Sequence, residues 1–269
     1  MNKTVIRTIE ILQYISENKD NANISEICRK LMIPKSSAFD IIYTLIDLDI
    51  LNVRETDHVN QKYFELSTKL FQISNKFLSQ NDLFLLAYPI LESLSKQSGE
   101  TTYLTIRDGK NIVYLLKFTA ESSLIPNIQV GDTNNLYSTC EGKAFLSCMR
   151  ELQINELLAA EPFEQNTKST ITSYNDLFKE LSNSRKQGYT TDICESNDDA
   201  LCVAAPVIDV TNNVVCSISI VSFYNRHDLT VLNKWGNLVN DSAFLLSKKL
   251  GYSFNDLYDF YNKMLESKD

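Results

Sequence analysis

Residues 23–51, NISEICRKLMIPKSSAFDIIYTLIDLDIL, constrain this chain more than any other stretch. Asn23 followed by Glu26 resembles a capping box and opens a helix on which Ile24, Ile27 and Leu31 share one face. Pro34 disfavours helix at Ile33 and suits a helix entrance, so Met32-Ile33-Pro34 is a turn. The next helix is expected to bury Ala38, Ile41, Ile42, Leu45 and Leu48 and to show Lys35, Ser36, Ser37, Asp40, Tyr43 and Thr44. Upstream, Val5, Ile9, Leu12 and Ile15 predict a first amphipathic helix. Downstream, Leu51–Arg54 and Lys62–Leu66 alternate like two strands around the polar tip Asp57–Asn60. Three helices and a two-stranded wing make a winged helix-turn-helix.

The chemistry of the third helix fits nucleic acid. Its N-terminus carries one cation and two hydroxyls, where a recognition helix meets phosphates and base edges. Arg7, Lys35, Arg54 and Lys62 are the candidate phosphate contacts, and Ser36, Ser37, Tyr43 and Thr44 the candidate base-edge contacts. A plain three-helix bundle has the same helical spacing, but not the wing. Asp40 lies on the same face, where phosphates would repel it although cytosine N4 could donate to it. The expected arrangement is an ion pair with Lys35 or another nearby cation.

Charge separates the chain in two. Residues 1–76 hold ten of the 26 Lys/Arg and ten of the 34 Asp/Glu, so the whole net charge of −8 falls on residues 77–269. An acidic protein can still hold DNA through one cationic face, because phosphate attraction is local at physiological salt. All seven glycines lie between Gly99 and Gly251, which also points to a helical N-terminal part and a strand-rich remainder. Six irregularly spaced cysteines without a CxxC pair, and only two histidines, argue against a zinc module or a disulfide scaffold. No metal or other cofactor is expected. No apolar run reaches the roughly 18 residues of a membrane span, and a reduced, cytoplasmic protein is the simple expectation.

Between the halves, Ser67 caps a helix with Leu70, Ile73, Phe77 and Leu78 on one stripe, and residues 82–98 form another with Leu86, Ile90 and Leu94 aligned. Pro89 marks a kink or a helix start there. A stripe in this position is read as a dimer seam. After Gly99 the period changes to two. Strands are expected at 102–107 and 111–117, joined by the hairpin signal Asp108-Gly109, and at 201–210 and 214–223. Helices are expected at Cys140–Met149, Gln153–Ala160 and Tyr174–Gly188. A sheet with helices around it is a suitable container for a small molecule.

Five stretches in register carry a resemblance to the IclR family of bacterial transcription regulators, from about Thr4 to Gly251. They are IPKSSAFDIIYTL, YPILESLSKQSGETTYLTIRDGKNIVYL, VGDTNNLYSTCEGKAFLS, GYTTDICESNDDALCVAAPV and LTVLNKWGNLVNDSAFLLSKKLG. The resemblance implies an α+β chain: a winged helix-turn-helix at 1–67, a helical dimerisation linker at 68–98, and a GAF-like effector-binding domain with a mixed or antiparallel sheet at 99–251. Residues 252–269 are left as a helical tail in which Phe254, Leu257, Tyr261 and Leu265 share a face. It further implies a regulator, most often a repressor, that binds a palindromic operator in double-stranded DNA as a homodimer or tetramer. DNA affinity would respond to a small organic acid or aromatic compound. Carried over by position, the effector site involves the loop Thr139-Cys140-Glu141-Gly142 together with Asp192, Cys202 and Ser219. Gly142 and Ser219 would give a carboxylate an N–H group and a hydroxyl. Glu195 is expected in a solvated loop, and Lys143 is set aside as helix support. The family commonly has Arg in place of Asp40 and Gly within Asp198-Asp199-Ala200. That acidic loop disfavours a strongly anionic ligand.

Other readings use the same residues. A cysteine hydrolase built on Cys140 or Cys202 would need a base, and only His58 and His227 are present. A sensor that acts through a partner protein without touching DNA is kept open by Asp40. Cys140, Cys194 and Cys202 would be the thiols of a redox switch on the same regulator.

Overall fold

The computed structural model describes residues 1–18, 21–55, 62–79, 82–120, 127–159 and 163–266. It divides into two compact units, residues 1–82 and 83–269. The stretch expected as one linker, 68–98, is thereby split, with one helix in each unit. The expected wing tip Asp57–Asn60, His58 with it, lies outside the described residues, as do the side chains of Phe77, Leu78 and Leu265.

The first unit begins with helices α1 (Lys3–Glu17), α2 (Ile24–Leu31) and α3 (Lys35–Asp47). Strands β1 (Leu51–Glu55) and β2 (Lys62–Leu66) follow as an antiparallel pair with Leu51 opposite Leu66, and α4 (Thr68–Ser79) closes the unit. Asn23 caps α2 as expected, its side chain accepting from the Glu26 N–H at 3.0 Å. Ser67 likewise caps α4, accepting from Lys69 N–H. Ile11, Ile15, Ile27, Ala38, Ile42, Leu51 and Phe64 form the core, where each large apolar side chain contributes roughly 1.5–3 kcal/mol. Two expectations shift. On α1 the buried positions are Ile11 and Ile15, while Val5 and Ile9 are exposed, so the inward stripe is rotated from the one expected. Leu48 falls just beyond α3 and is exposed, because the helix has already ended at Asp47.

The second unit opens with α5 (Asp82–Ser98), which runs through Pro89 as one helix. Its Ile90, Leu91 and Leu94 are buried, and Thr102 donates to the Leu91 carbonyl at 3.1 Å. Of the α5 stripe read as a dimer seam, Ile90 and Leu94 are core and Leu86 is half-buried, while Ile73 of the α4 stripe is exposed; α5 also leaves Leu85 and Tyr88 exposed. A six-stranded sheet follows, built from β3 (Thr101–Asp108), β4 (Asn111–Phe118), β5 (Thr133–Asn135), β6 (Thr190–Ile193), β7 (Ala200–Ile208) and β8 (Val214–Phe223). Its order is β5-β4-β3-β8-β7-β6, and every pairing is antiparallel. The two hairpins expected from the sequence are its centre; the short β5 and β6 at its edges were not anticipated.

Helices α6 (Cys140–Leu146), α7 (Glu151–Leu158) and α8 (Tyr174–Gln187) enclose one core, and α9 (Val231–Lys249) packs on β7 and β8. Alternation along β7 divides its residues. Ala200, Cys202 and Ala204 join the core of Phe145, Ile154 and Leu181, while Leu201, Val203 and Ala205 are buried on the opposite face. The tail ends in α10 (Asp259–Glu266), with Tyr252, Leu257, Tyr258 and Tyr261 buried.

Candidate functional site

The first turn of α6 is the point around which polar groups collect in the second unit. Thr139 caps it, accepting from the Gly142 N–H at 3.1 Å and donating to the Asn135 carbonyl at 2.8 Å. Gly142 is there for space: a Cβ would stand 2.3 Å from the Leu136 carbonyl oxygen, which only a residue without a side chain tolerates. The N–H expected to receive a ligand carboxylate is thus already occupied.

Glu141, just before Gly142, lies in the loop expected at the site, but no role was expected of its carboxyl. Its carboxyl is buried; Ser219 donates to one oxygen at 2.7 Å and the Cys140 thiol to the other at 3.2 Å. The Ser219 hydroxyl expected for a ligand therefore serves Glu141. Burial pushes the Glu141 carboxyl above the usual range despite the Ser219 hydrogen bond, and the charge of Asp192 adds to the rise. Asp192 on β6 is buried as well, accepting from the N–H groups of Glu195 at 2.8 Å and Ser196 at 3.3 Å, and from the Ser196 hydroxyl at 2.5 Å. Burial raises its carboxyl too, opposed by Lys143 and by the Ser196 and Glu195 hydrogen bonds. Asp192 consequently braces the turn after β6 and also faces the cleft.

The cleft itself is lined by Glu141, Asp192 and Cys202, by Thr139 and Tyr114, and by Ser222 near the end of β8. Its unfilled space is about 360 Å³ with the solvent at its open mouth counted in, and about 30 Å³ can be reached by the centre of a water molecule. Cys140, Gly142 and Ser219 stand behind this lining. They act on the cleft through Glu141 and Thr139. Its mouth includes Asn197 and Asp199. Among the described residues the lining has acids and no Lys, Arg or His, and no group of His, Cys, Asp and Glu is arranged to hold a metal ion.

Lys143 and Glu195 depart from expectation together. Lys143 is completely buried, its ammonium 2.5 Å from Glu195 and 3.7 Å from Glu180. Glu195 is buried rather than solvated, since pairing with a buried ammonium requires it. The thiols are poor nucleophiles. Burial holds Cys140 well above its ordinary value. The Cys140 hydrogen bond lowers Cys202, but burial and the charges of Asp192 and Glu141 leave it pushed up to about 11. His227 is engaged elsewhere, 2.9 Å from Glu100.

In the first unit, α3 exposes Lys35, Ser36, Asp40 and Thr44, with Ser37 and Tyr43 half-buried. Phe39, not singled out from the sequence, is exposed and stacks on Tyr43 with ring centroids 4.1 Å apart. The Lys62 ammonium lies 5.9 Å from the Tyr43 ring, which joins the wing to this face. Arg54 lies over Tyr63, and Arg7 is half-buried on α1. Thr44 donates back to the Asp40 carbonyl at 2.6 Å. The ion pair expected for Asp40 does not form: its exposed carboxylate has no such partner among the described residues.

Comparison with known proteins agrees with this two-part geometry. The family described as IclR helix-turn-helix domain matches residues 4–54, and that described as Bacterial transcriptional regulator IclR C-terminal matches residues 75–248. This chain belongs to the IclR family. It is 28% identical to the HTH-type transcriptional regulator KdgR of Escherichia coli over 93% of both chains. It is 26% identical to the E. coli HTH-type transcriptional repressor AllR, over 91% of this chain and 89% of that one. The fold also matches an IclR homolog from Microbacterium hydrocarbonoxydans complexed with 4-hydroxybenzoate, with a TM-score of 0.77, 18% identity, and coverage of 93% of this chain and 100% of that one. The IclR chain described here is accordingly a transcriptional regulator with a helix-turn-helix and a curled antiparallel C-terminal sheet. Thr139, Asp192 and Cys202 reach its cleft directly. Glu141 lay in the expected loop, but the buried partners of its carboxyl, Ser219 and Cys140, follow from no periodic signature.

Proposed function

We propose that this IclR-family regulator is a sequence-specific DNA-binding repressor whose grip on a palindromic operator is set by a small organic effector. The observation that carries the DNA half is the face of α3. It places Lys35 and Ser36 at a helix entrance and couples Tyr43 to Lys62 of the wing. Lys35, Lys62, Arg54 and Arg7 supply phosphate contacts, while Ser36, Ser37, Tyr43 and Thr44 approach base edges. Repression is supported by the likeness to AllR. A homodimer or tetramer matches a two-fold operator, and the protein works in the cytoplasm. No helix among the described residues is long and apolar enough to cross a membrane. The chain carries no catalytic role of its own, in keeping with thiols pushed away from the thiolate form.

The effector half is supported by the cleft beside α6, where polar groups converge next to a packed core, as in small-molecule sites. The effector biases the placement of paired winged domains, and half-site spacing converts this bias into affinity. Selection of sheared genomic DNA from the source organism on the purified protein, at near-physiological salt, tests the reading. Recovery of a few sites sharing a palindrome is expected. Recovery of nothing above background from folded protein would give precedence to a partner-binding sensor, the reading that the unpaired Asp40 favours.

A further inference from the structure

Tyr114 brings an unused donor to the cleft. Its side chain is 2% exposed and lines the cleft, yet among the described residues its hydroxyl has no hydrogen-bond partner. Neighbouring buried tyrosines are satisfied. Tyr103 donates to the Ile128 carbonyl at 3.2 Å, Tyr137 to the Glu164 carbonyl at 3.0 Å, and Tyr258 meets the Ser147 hydroxyl at 3.1 Å. An enclosed hydroxyl left unmatched costs about 1–3 kcal/mol, so the Tyr114 phenol calls for a partner that enters the cleft.

The sheet register sets its direction. Tyr114 on β4 stands opposite Thr105 on β3, and Thr105 stands opposite Ser217 on β8, with the two hydroxyls 2.8 Å apart. Residues directly opposite share a face of the sheet. Ser217 in turn donates to the Glu141 carbonyl at 3.3 Å, so this is the face that α6 covers. Cys140 and Cys202 share that core with Tyr114. Burial first, and then the charge of Glu141, hold the phenol well above its ordinary pKa, so it stays protonated and donates.

Donor and acceptor together select the ligand group. Tyr114 needs an acceptor. The Glu141 carboxylate has about four acceptor positions and uses one for Ser219 and one for Cys140. A ligand carboxylate accepts only, and would be enclosed beside Glu141 and Asp192 with no cation among the described lining residues. An ammonium donates only, and leaves the phenol O–H unmatched. A hydroxyl accepts from Tyr114 and donates to Glu141 at once. The space suits so small a group: about 30 Å³ can be reached by the centre of a water molecule, where one water needs about 10–15 Å³.

We propose that Tyr114 binds the effector, and that the effector is an uncharged hydroxylated compound, a polyol or a sugar, entering with an alcohol group between Tyr114 and Glu141. The assignment rests on the reading of this cleft as the effector site. It narrows the ligand to a neutral class, where the family resemblance implies organic acids or aromatic compounds. The 4-hydroxybenzoate of the Microbacterium homolog belongs to that protein.

Matched trios that share a skeleton test this on the full-length protein: ethylene glycol, glycolate and ethanolamine; 4-hydroxybenzyl alcohol, 4-hydroxybenzoate and 4-hydroxybenzylamine; glucitol, gluconate and glucamine. Binding is read by saturation-transfer NMR and titration calorimetry at millimolar concentration. In at least one trio the alcohol is expected to bind about tenfold more tightly than the acid and the amine. Tyr114→Phe keeps the ring and should weaken that binding about fivefold. Tyrosine isotope-labelled at Cζ in the parent protein gives a reading free of any folding defect, since one resonance should shift as the alcohol binds. Tighter binding of an acid or an amine would overturn the ligand class and leave the effector cleft standing. Alcohol binding that is unaltered in Tyr114→Phe, or that moves no tyrosine resonance, would overturn the role of Tyr114. Silence from every trio would overturn the proposal and leave water as the partner of the phenol, while DNA selection continued to judge the regulator reading separately.

Discussion

Lys143 and Glu195 meet at 2.5 Å inside the second unit, an ammonium with no exposed surface against a carboxylate on the turn that follows β6. The pair ties the first turn of α6 to the turn that Asp192 braces, so it fixes two walls of the cleft. Removing one partner leaves an uncompensated buried charge, whereas replacing both with apolar groups of similar size removes the problem. Lys143→Ala is expected to lower stability by about 3–5 kcal/mol. Lys143→Met combined with Glu195→Leu should lose much less. Guanidinium denaturation of the two variants provides the comparison, and equal losses would show that packing rather than charge dominates.

The same cluster makes stability depend on pH. One ammonium is surrounded by Glu195, Glu180 and Asp192, so burial and mutual repulsion outweigh the pull of Lys143 and raise Glu195 to about 7. A carboxyl with a folded pKa above its unfolded value binds its proton more tightly in the folded state. Its contribution is fully present below the unfolded value and is lost as pH rises through about 7. Each pH unit within that window corresponds to about 1.4 kcal/mol. Glu195→Gln, which cannot ionise and leaves the buried Lys143 ammonium without that carboxylate, should be less stable than the parent, with a deficit that narrows from pH 5 to 7 and then stays constant. A parallel pair of stability curves would place the titration elsewhere.

The fold was legible wherever local chemistry and burial agreed. Asn23, Pro34 and Ser67 mark helix entrances in sequence and in structure, and Asp108-Gly109 marks the central hairpin. What escaped depends on partners distant in sequence. Nothing around Lys143 announces that residue 195 will reach it across 52 positions, so a buried pair looked like a helix support and a solvated loop. Ile90 and Leu94 show a stripe, but a stripe does not state which surface covers it; here the chain covers it itself. Asp192 and Cys202, proposed by position, line the cleft, whereas the tasks of Gly142 and Ser219 were assigned to ligand although Leu136 and Glu141 already claim them.

On the DNA face, opposite charges predict opposite outcomes. Lys35 is exposed at the entrance of α3, so Lys35→Ala should weaken DNA binding and reduce the salt slope by about one. Asp40 is exposed and has no ion pair among the described residues, and Asp40→Asn should strengthen non-specific binding by removing a repulsion. If its carboxylate accepts from a cytosine, the same change should cost about 1–3 kcal/mol of discrimination at one operator position. Fluorescence anisotropy at several salt concentrations, with operator and random duplexes, separates these effects. An unchanged slope in Lys35→Ala would remove that residue from the interface.

The tail beyond Gly251 belongs to the second unit's core. Tyr258 and Ser147 share a 3.1 Å hydrogen bond, and the Arg185 guanidinium lies 3.9 Å from the centroid of the Tyr261 ring while its Nε donates to the Ser147 carbonyl at 2.8 Å. Arg185 is thereby held between α6 and the tail, where a cation over a partly desolvated aromatic ring contributes about 2 kcal/mol. Truncating the ring removes apolar burial as well, so Tyr261→Ala should cost about 3–5 kcal/mol, as large aromatic deletions from cores do. Tyr258→Phe keeps the ring and loses one hydrogen bond of about 1 kcal/mol. Denaturant midpoints for the two variants should therefore differ widely. Near-parental stability of Tyr261→Ala would show that the tail leaves this position in solution, and deletion of residues 252–269 would then be tolerated too.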